Sequence, residues 1–488
     1  MNKKIAIIGS GFSSLSAACY LAKSGMNVTV FEKNATLGGR ARRFSKEGFN
    51  FDMGPTWYWM PDVFEKFFND FEKKPADYYE LDKLTPAYKV YFSKTEQVTI
   101  SDNLEEITKT FENIEKGSGK KLQKFIQQAK DNYAIAVEKM VYKPGDSIFE
   151  LISVETAFRV HQFFSTIKKD VRKQFKDERL RQILEFPVLF LGAKPSNTPS
   201  FYNFMNYADF GLGTWHPKSG MYSVVAAMVS LAKSLGVNFQ TSANVSKIIV
   251  ENGVAKGLKV NNENCFFDAI LSGADYHHTE TLLDEKYRMY TEKYWEKKTF
   301  APSSLLFYVG FDKKIANVEH HTLFFDTSFE AHAKEIYDVK KWPKEPLFYA
   351  SFPSITDSFF APHGKEAATF LIPIAPGLND SAAIREEYFN IIMERLEKLT
   401  GQSLKDFVIF KESYCVQNFI NDYNSYKGNA YGLANILSQT AFLRPKIKSR
   451  KVQNLFFTGQ LTVPGPGVPP SIISGKIASE KILKTMKL

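Results

Sequence analysis

Gly9, Gly11 and Ser14 stand at the spacing with which an apolar strand passes into a helix around a phosphate. Gly9 allows the tight turn, Gly11 lets the backbone approach a pyrophosphate, and the helix that follows presents unpaired N–H groups and a partial positive charge. Ser14 occupies the place of the third glycine of a dinucleotide fingerprint, where a small side chain lets the helix pack closely on the strand. Glu32 lies twenty-one residues after Gly11, at the end of a second apolar stretch, where a carboxylate accepts hydrogen bonds from the ribose of an adenosine. Gly38-Gly39-Arg40 then offers exposed backbone N–H groups and a planar guanidinium suited to forked contacts with phosphate oxygens.

These residues need elements to hold them. The spacing predicts strands over 4–8 and 28–31 with a helix between them that ends near Gly25. A helix with Phe64, Phe67, Phe68 and Phe71 on one face is expected to be capped by Asp62. Residues 78–100 alternate like strands of a second sheet, and helices are expected over 102–116 and 120–141. Ser147 and Glu150 have capping-box spacing. They open a run in which Phe158, Phe163, Phe164, Ile167, Val171 and Phe175 lie near one helical face, opposite Lys168, Lys169, Arg172, Lys173 and Lys176. The chain then returns to the first sheet through a helix over 224–235 and strands over 238–241, 245–250, 255–260 and 265–271. Strands over 303–311, 322–325, 347–352 and 368–375 and a helix over 382–400 form a second excursion. A terminal helix begins near Ser471.

Composition limits the reading. A chain of 488 residues is long enough for two or three domains. Of its residues 15% are aromatic, and 43 are Phe, which suits a wall around a long apolar ligand. The net charge of +10 is spread along the chain, without a nucleic-acid-binding motif, so an anionic membrane surface is the better partner and nucleic acid is not expected. Cys19, Cys265 and Cys415 are too few and too far apart for a disulfide framework or a metal site, and no Cys-x-x-Cys is present. There is no cleavable leader and no apolar run of about 18 residues, so the expected location is cytoplasmic, peripheral at the inner face of the cell membrane.

The segment from Gly9 to Arg40 resembles the N-terminus of the FAD-dependent amine oxidase and carotenoid desaturase superfamily, in which the Gly-Gly-Arg loop lies along the pyrophosphate. Near the other end, Thr458-Gly459-Gln460-Leu461-Thr462-Val463-Pro464-Gly465-Pro466-Gly467-Val468 resembles the C-terminal signature of the bacterial-type carotenoid (phytoene) desaturases. Gly428–Leu433 and Leu443-Arg444-Pro445 precede it in the same pattern. Gln460, Leu461 and Val463 depart from the small or polar residues common there, which bears on where along a substrate the reaction falls. The resemblance implies FAD as cofactor. It implies cofactor contacts at Lys33, Gly54, Pro55, Thr56, Val245, Gly459 and Val468, and backbone N–H groups from Gly465 and Gly467 at the flavin end.

The implied fold is α/β: a Rossmann-like FAD-binding domain with an inserted mixed-sheet substrate domain and a helical membrane-associating subdomain. The FAD-binding domain takes 1–76, 214–286 and 441–488, the helical membrane-side region 77–213 and the substrate-binding domain 287–440. The implied activity is FAD-dependent desaturation of a carotenoid of the phytoene type, with electrons passing to a quinone or dioxygen, since no second glycine fingerprint offers a nicotinamide site. A later hydroxylated or monocyclic carotenoid is the alternative substrate, as in hydroxycarotenoid 3,4-desaturation. An amine oxidase and a carotenoid carrier fit the termini less well. No histidine, His216 and His277 included, has a spacing that marks a catalytic acid or base, and no metal ligands are expected.

Overall fold

The computed structural model describes residues 3–151 and 154–486. Its organising sheet is parallel and takes strands from three distant parts of the chain. Lys4–Ile8 (β1) leads through Gly9–Gly11 into the helix Phe12–Lys23 (α1) and back to Asn27–Phe31 (β2). Asn238–Gln240 (β3), Ala269–Ser272 (β4) and Leu455–Phe457 (β5) complete the order β5-β4-β1-β2-β3. Ile5 lies opposite Val28 on one side and Ala269 on the other. Ile5, Ala6 and Ile7 are fully buried, as expected of a central parallel strand covered on both faces.

The terminal helix Val468–Thr485 (α2) packs on α1. The approach is close enough that a Cβ at Gly475 would lie 2.2 Å from the Ser13 carbonyl oxygen, and the Ser16 hydroxyl donates to Ile472 O at 2.7 Å. Small residues on both helices permit this contact, which joins the two ends of the sequence. Ser14 packs in the same way on the next loop: a Cβ at Gly273 would lie 2.0 Å from its Oγ. The helix α2 starts at Val468, three residues earlier than expected, because Pro469 and Pro470 fit a first turn in which an N–H is not needed.

A seven-stranded mixed sheet forms the second layer. Its order is Val408–Tyr414, Ser303–Phe311, Glu366–Ile374, Phe348–Ser351, His321–Phe324, Tyr88–Tyr91 and Gln97–Ile100. Only the pair of His321–Phe324 with Tyr88–Tyr91 is parallel. The first of the strands expected over 78–100, Leu81–Lys83, instead pairs with Trp215–Pro217. Val245–Glu251, Val254–Val260 and Glu263–Phe266 make a separate antiparallel meander.

The helical region corrects three expectations. Asp62 does not cap its helix: Pro61–Asn69 begins after Met60 in a left-handed conformation, and Asp62 accepts from the Tyr133 hydroxyl at 2.7 Å. Ser147 and Glu150 do not open a long helix, because the Glu150 carboxylate turns back to Gly145 N and Asp146 N around a short 3-10 turn. The run from Phe158 to Lys176 is not one helix either; its approach through 152 and 153 lies outside the described residues. Val160–Phe164 stops at extended Ser165, and Thr166 caps a new helix, Ile167–Gln174. Ile167, Val171 and Phe175 are buried and Phe163 stacks on Phe201, whereas Phe149, Phe158 and Phe164 are 77%, 78% and 78% exposed. No described helix is long and apolar enough to cross a membrane.

The α1–α2 contact yields a direct test. Replacing Gly475 with Ala forces a methyl into a space filled by backbone, and the expected destabilisation is about 1–3 kcal/mol. A fall in the midpoint of thermal unfolding checks it, and an unchanged midpoint would mean that the two helices separate at no cost.

Candidate functional site

The glycine turns meet over a cavity of about 450 Å³ that runs from the edge of the parallel sheet to the face of the mixed sheet. Glu32 lies at the first of these ends, 4% exposed. Its Oε2 accepts from Ser10 N at 3.0 Å and Ser10 Oγ at 2.7 Å, and its Oε1 accepts from Asn34 N and Asn34 Nδ2, both at 2.9 Å. Gly38 N in turn donates to Ser10 Oγ at 3.1 Å. One carboxylate thus holds the fingerprint turn and the Gly-Gly-Arg loop in register. Those loops come so near that a Cβ on Gly39 would lie 3.1 Å from Gly11 Cα. Gly38 and Gly39 both have positive φ, which explains glycine at each.

The donor set at this end fits a dinucleotide. Helix α1 has no side-chain cap and no acid in its first turn, so its leading N–H groups face an anion-binding position. A Cβ at Gly11 would meet nothing and would stand in the open space that a pyrophosphate requires. Arg40 lines the cavity, donates from Nη2 to Ser425 Oγ at 3.1 Å, packs on the Tyr423 ring and keeps a buried Nε with no protein partner. Burial lowers the pKa of this guanidinium, and Asp275 is the acid that opposes the shift. A phosphate oxygen would supply both the missing acceptor and the missing charge.

The remaining expected residues fall in one place with few exceptions. Gly9, Lys33, Gly54, Pro55, Thr56, Val245, Gly459, Gly467 and Val468 all line the cavity. Lys33 is also tied to the loop beyond it, donating to Asn421 O at 2.6 Å, and burial lowers its pKa. Ser14 lies behind the wall, as packing. Gly465 is not on the wall: a Cβ there would meet Arg444 Nη2 and Asn435 Oδ1, each at 3.0 Å. Pro469 and Pro470 carry no N–H, which leaves that of Val468 from the start of α2.

Several contributors were not expected as cofactor contacts, although Arg444 and Gln460 lie in the C-terminal pattern. Arg444 is 2% exposed and has no carboxylate among its partners; it donates to Gln460 O at 3.0 Å and Leu433 O at 2.9 Å, and burial brings its pKa down to about 10. It thereby fixes the loop that carries Gln460 to the wall. The Gln460 amide satisfies its neighbours when its oxygen faces Arg40 Nη2 at 3.1 Å and Gly432 N at 3.2 Å. Asp52 accepts from Met221 N and Tyr222 N at the start of the helix Met221–Ser234, and burial pushes it up to about 6.

Away from these groups the wall becomes apolar. Trp57, Trp59, Phe186, Phe190, Leu323 and Phe325 form its far half. The acids on the wall, Glu32, Asp275 and Asp422, stay at the first end, where Ser10, His277 and Arg42 engage them. His332, in the apolar half, is tied at both ring nitrogens: Nδ1 accepts from Leu347 N at 2.9 Å and Nε2 donates to Pro373 O at 2.8 Å. Burial holds its pKa down to about 4.

Comparison with known proteins agrees with this geometry. Residues 12–483 match the family of flavin containing amine oxidoreductases. The carotenoid 3,4-desaturase of Haloarcula japonica is 38% identical over 484 residues, covering 98% of both chains. The zeta-carotene-forming phytoene desaturase of Myxococcus xanthus is 30% identical, covering 99% of this chain and 94% of its own. Among solved structures, an oxidoreductase from Methanosarcina mazei superposes with a TM-score of 0.64 at 18% identity, over 98% of this chain and all of that one, which shows the shared fold. With the glycine turns, Glu32 and Arg40 gathered at one end of the cavity, the chain belongs to the flavin containing amine oxidoreductases, and within them to the carotenoid desaturases.

Proposed function

We propose that this FAD-dependent oxidoreductase is a carotenoid desaturase that converts a single bond of a long isoprenoid into a conjugated double bond. The observation that carries this reading is the polarity of the cavity: one end is built for a dinucleotide and the other is an aromatic and aliphatic slot. FAD, when bound, supplies the acceptor for a hydride equivalent from one sp³ carbon, while the neighbouring carbon gives up a proton. The electrons then pass to a quinone or dioxygen. The cofactor end is assembled from 1–76, 214–286 and 441–488, with Gly9, Gly11, Gly38, Gly39 and Arg40 toward the pyrophosphate and Glu32 toward the adenosine ribose.

The chain's own contribution is placement. Trp57, Trp59, Phe186 and Phe190 offer faces and edges to a polyene that carries few polar handles, and they exclude water from the reacting carbons. His332 has no nitrogen to spare for proton transfer. An amine substrate would want an acid or an acceptor in the far half of the cavity, and the wall's carboxylates lie at the other end. Of the two substrate stages, the higher identity to the 3,4-desaturase of Haloarcula japonica favours a later carotenoid over phytoene.

The exposed apolar residues support delivery from a membrane surface. Ile148, Phe149, Phe158, Val160 and Phe164 protrude from short helical turns between 148 and 164. Lys168 pairs with Glu330 and Arg172 with Glu178 and Glu185, which leaves Lys169, Lys173 and Lys176 as the basic residues of this stretch directed to anionic lipid, among the described residues. This is a peripheral contact, in which rings enter the acyl boundary and cations meet headgroups.

Three outcomes are expected. The FAD-loaded chain, given a carotenoid in anionic vesicles and a soluble quinone, forms a product two hydrogens lighter with absorbance shifted to longer wavelength; oxidation of amines without that product would refute the reading. Glu32→Ala loses flavin, since each charged hydrogen bond removed contributes ~1.5–3 kcal/mol, and the check is flavin absorbance after gel filtration, with unchanged occupancy counting against the assignment. Changing Phe149, Phe158 and Phe164 together to Ser weakens vesicle binding by at least ~10-fold, given ~1.5–3 kcal/mol for fully burying one such ring, and vesicle flotation that is indifferent to the change would place the docking surface elsewhere.

A further inference from the structure

Besides His332, whose ring nitrogens are both engaged, the cavity wall carries a polar insert that desaturation of a plain hydrocarbon does not use. Thr56, Trp57 and Tyr349 line the wall, and His321 lies behind them with no exposed surface. His321 and Tyr349 sit on neighbouring antiparallel strands, opposite Ser351 and Leu323 respectively, and therefore diagonally on one face. The Tyr349 hydroxyl is 2.7 Å from His321 Nδ1 and 2.8 Å from Thr56 Oγ1. The Trp57 ring stacks on the imidazole at 4.0 Å with 11° between the planes, which fixes its orientation. His321 Nε2 is buried without a protein partner, and the Trp57 indole and the Ser351 hydroxyl lie close enough to the Tyr349 hydroxyl to act on it.

Such an insert is unfavourable in a wall meant only for hydrocarbon, because a buried donor or acceptor left unsatisfied is destabilising and aliphatic side chains would avoid it. Burial keeps His321 neutral, its pKa held well below the ordinary histidine range. In one tautomer Nδ1 accepts from Tyr349, Tyr349 accepts from Thr56, and the Thr56 oxygen has a lone pair left for the cavity. In the other tautomer each bond reverses and Thr56 has its proton left. The chain therefore ends at the wall in a group that can either accept or donate, beside the Trp57 indole N–H. No acid, lysine or arginine belongs to the set, so an ionic group would find no counter-charge there.

The insert is also close to the cofactor end. Gly54, two residues before Thr56, packs so tightly on the backbone of Arg40 that a Cβ would lie 2.1 Å from Arg40 O. We infer that Thr56, Tyr349 and Trp57, backed by His321, form a subsite for a neutral hydroxyl carried by the carotenoid near the bond that is oxidised. The substrate is then a hydroxylated long isoprenoid, and the subsite sets which bond reaches the flavin. Thr56, Tyr349 and Trp57 are specificity-determining residues, and His321 is a positioning residue that orients Tyr349. The inference rests on the desaturase reading above.

The test compares a hydroxyl-bearing carotenoid with the hydrocarbon that differs only in lacking that hydroxyl, using the FAD-loaded full chain. The wild type is expected to prefer the hydroxylated substrate in kcat/KM by at least ~10-fold, because a site built around a hydroxyl leaves its own groups unpaired against the analogue. Tyr349→Phe should reduce that ratio by about tenfold or more, with flavin content unchanged as the control for folding. His321→Phe should lower it too, and His321→Asn, which restores one hydrogen-bonding atom, should recover part of it. Dissociation constants from quenching of protein fluorescence should shift with the same ratio. A wild type indifferent to the hydroxyl, or variants that lower both substrates by one factor, would overturn the subsite while leaving the desaturase reading intact. Desaturation of neither substrate would overturn both.

Discussion

The buried carboxylate of Glu32 is the interaction on which the cofactor end depends. Taking an ionised group out of water is expensive unless it is hydrogen-bonded, and here Ser10 and Asn34 donate four hydrogen bonds to it. The Ser10 hydroxyl passes the restraint on to Gly38 N. Two loops that are both rich in glycine, and so costly to order, are thereby held against each other at the separation that Gly39 and Gly11 require. The α1–α2 contact extends the same arrangement to the far end of the chain, since Gly475 and Ser16 bring the C-terminal turn over the fingerprint.

Around that fixed point the cavity changes character along its length. Arg40, with an unsatisfied Nε, marks the anionic end, and the aromatic wall marks the other. This division assigns different work to different forces. Charge and hydrogen bonds suit a cofactor, where geometry must be reproducible to fractions of an ångström, and shape and apolar burial suit the long apolar body of a carotenoid. Arg444 belongs to the first group although it does not touch the cavity. Its bonds to Gln460 O and Leu433 O keep the loop between β5 and α2 in place.

The helical region shows how tertiary packing overrides a local pattern. The spacing of Phe158, Phe163, Ile167, Val171 and Phe175 suits a single amphipathic helix, yet Thr166 prefers to cap the next turn, and its Oγ1 accepts from Lys169 N at 3.3 Å. The break turns Ile167, Val171 and Phe175 inward and leaves Phe158 and Phe164 outside. The periodicity was real, but it described burial against the protein's own core. Asp62 is a similar case: its position suits a cap, but Met60 enters the helix in a left-handed conformation and the carboxylate is claimed by Tyr133.

What the sequence determined by itself was local and backbone-driven. Gly9, Gly11, Glu32 and Gly38-Gly39-Arg40 were legible because a tight turn, a close backbone approach and a strand-end acid require particular residue types at short, fixed spacings. The order of strands and helices was legible for a related reason, since hydrophobic period follows from backbone geometry. The tertiary structure alone decided which side chains meet across long separations. Thr56 and Trp57 come to Tyr349 and His321 from nearly three hundred residues away. Arg444 becomes a buried clamp only when the final turn folds back, and Gly465 faces it instead of the cavity. No spacing encodes such meetings, because they depend on the register between strands and on how layers close over one another, and both are set by the packing of the whole chain.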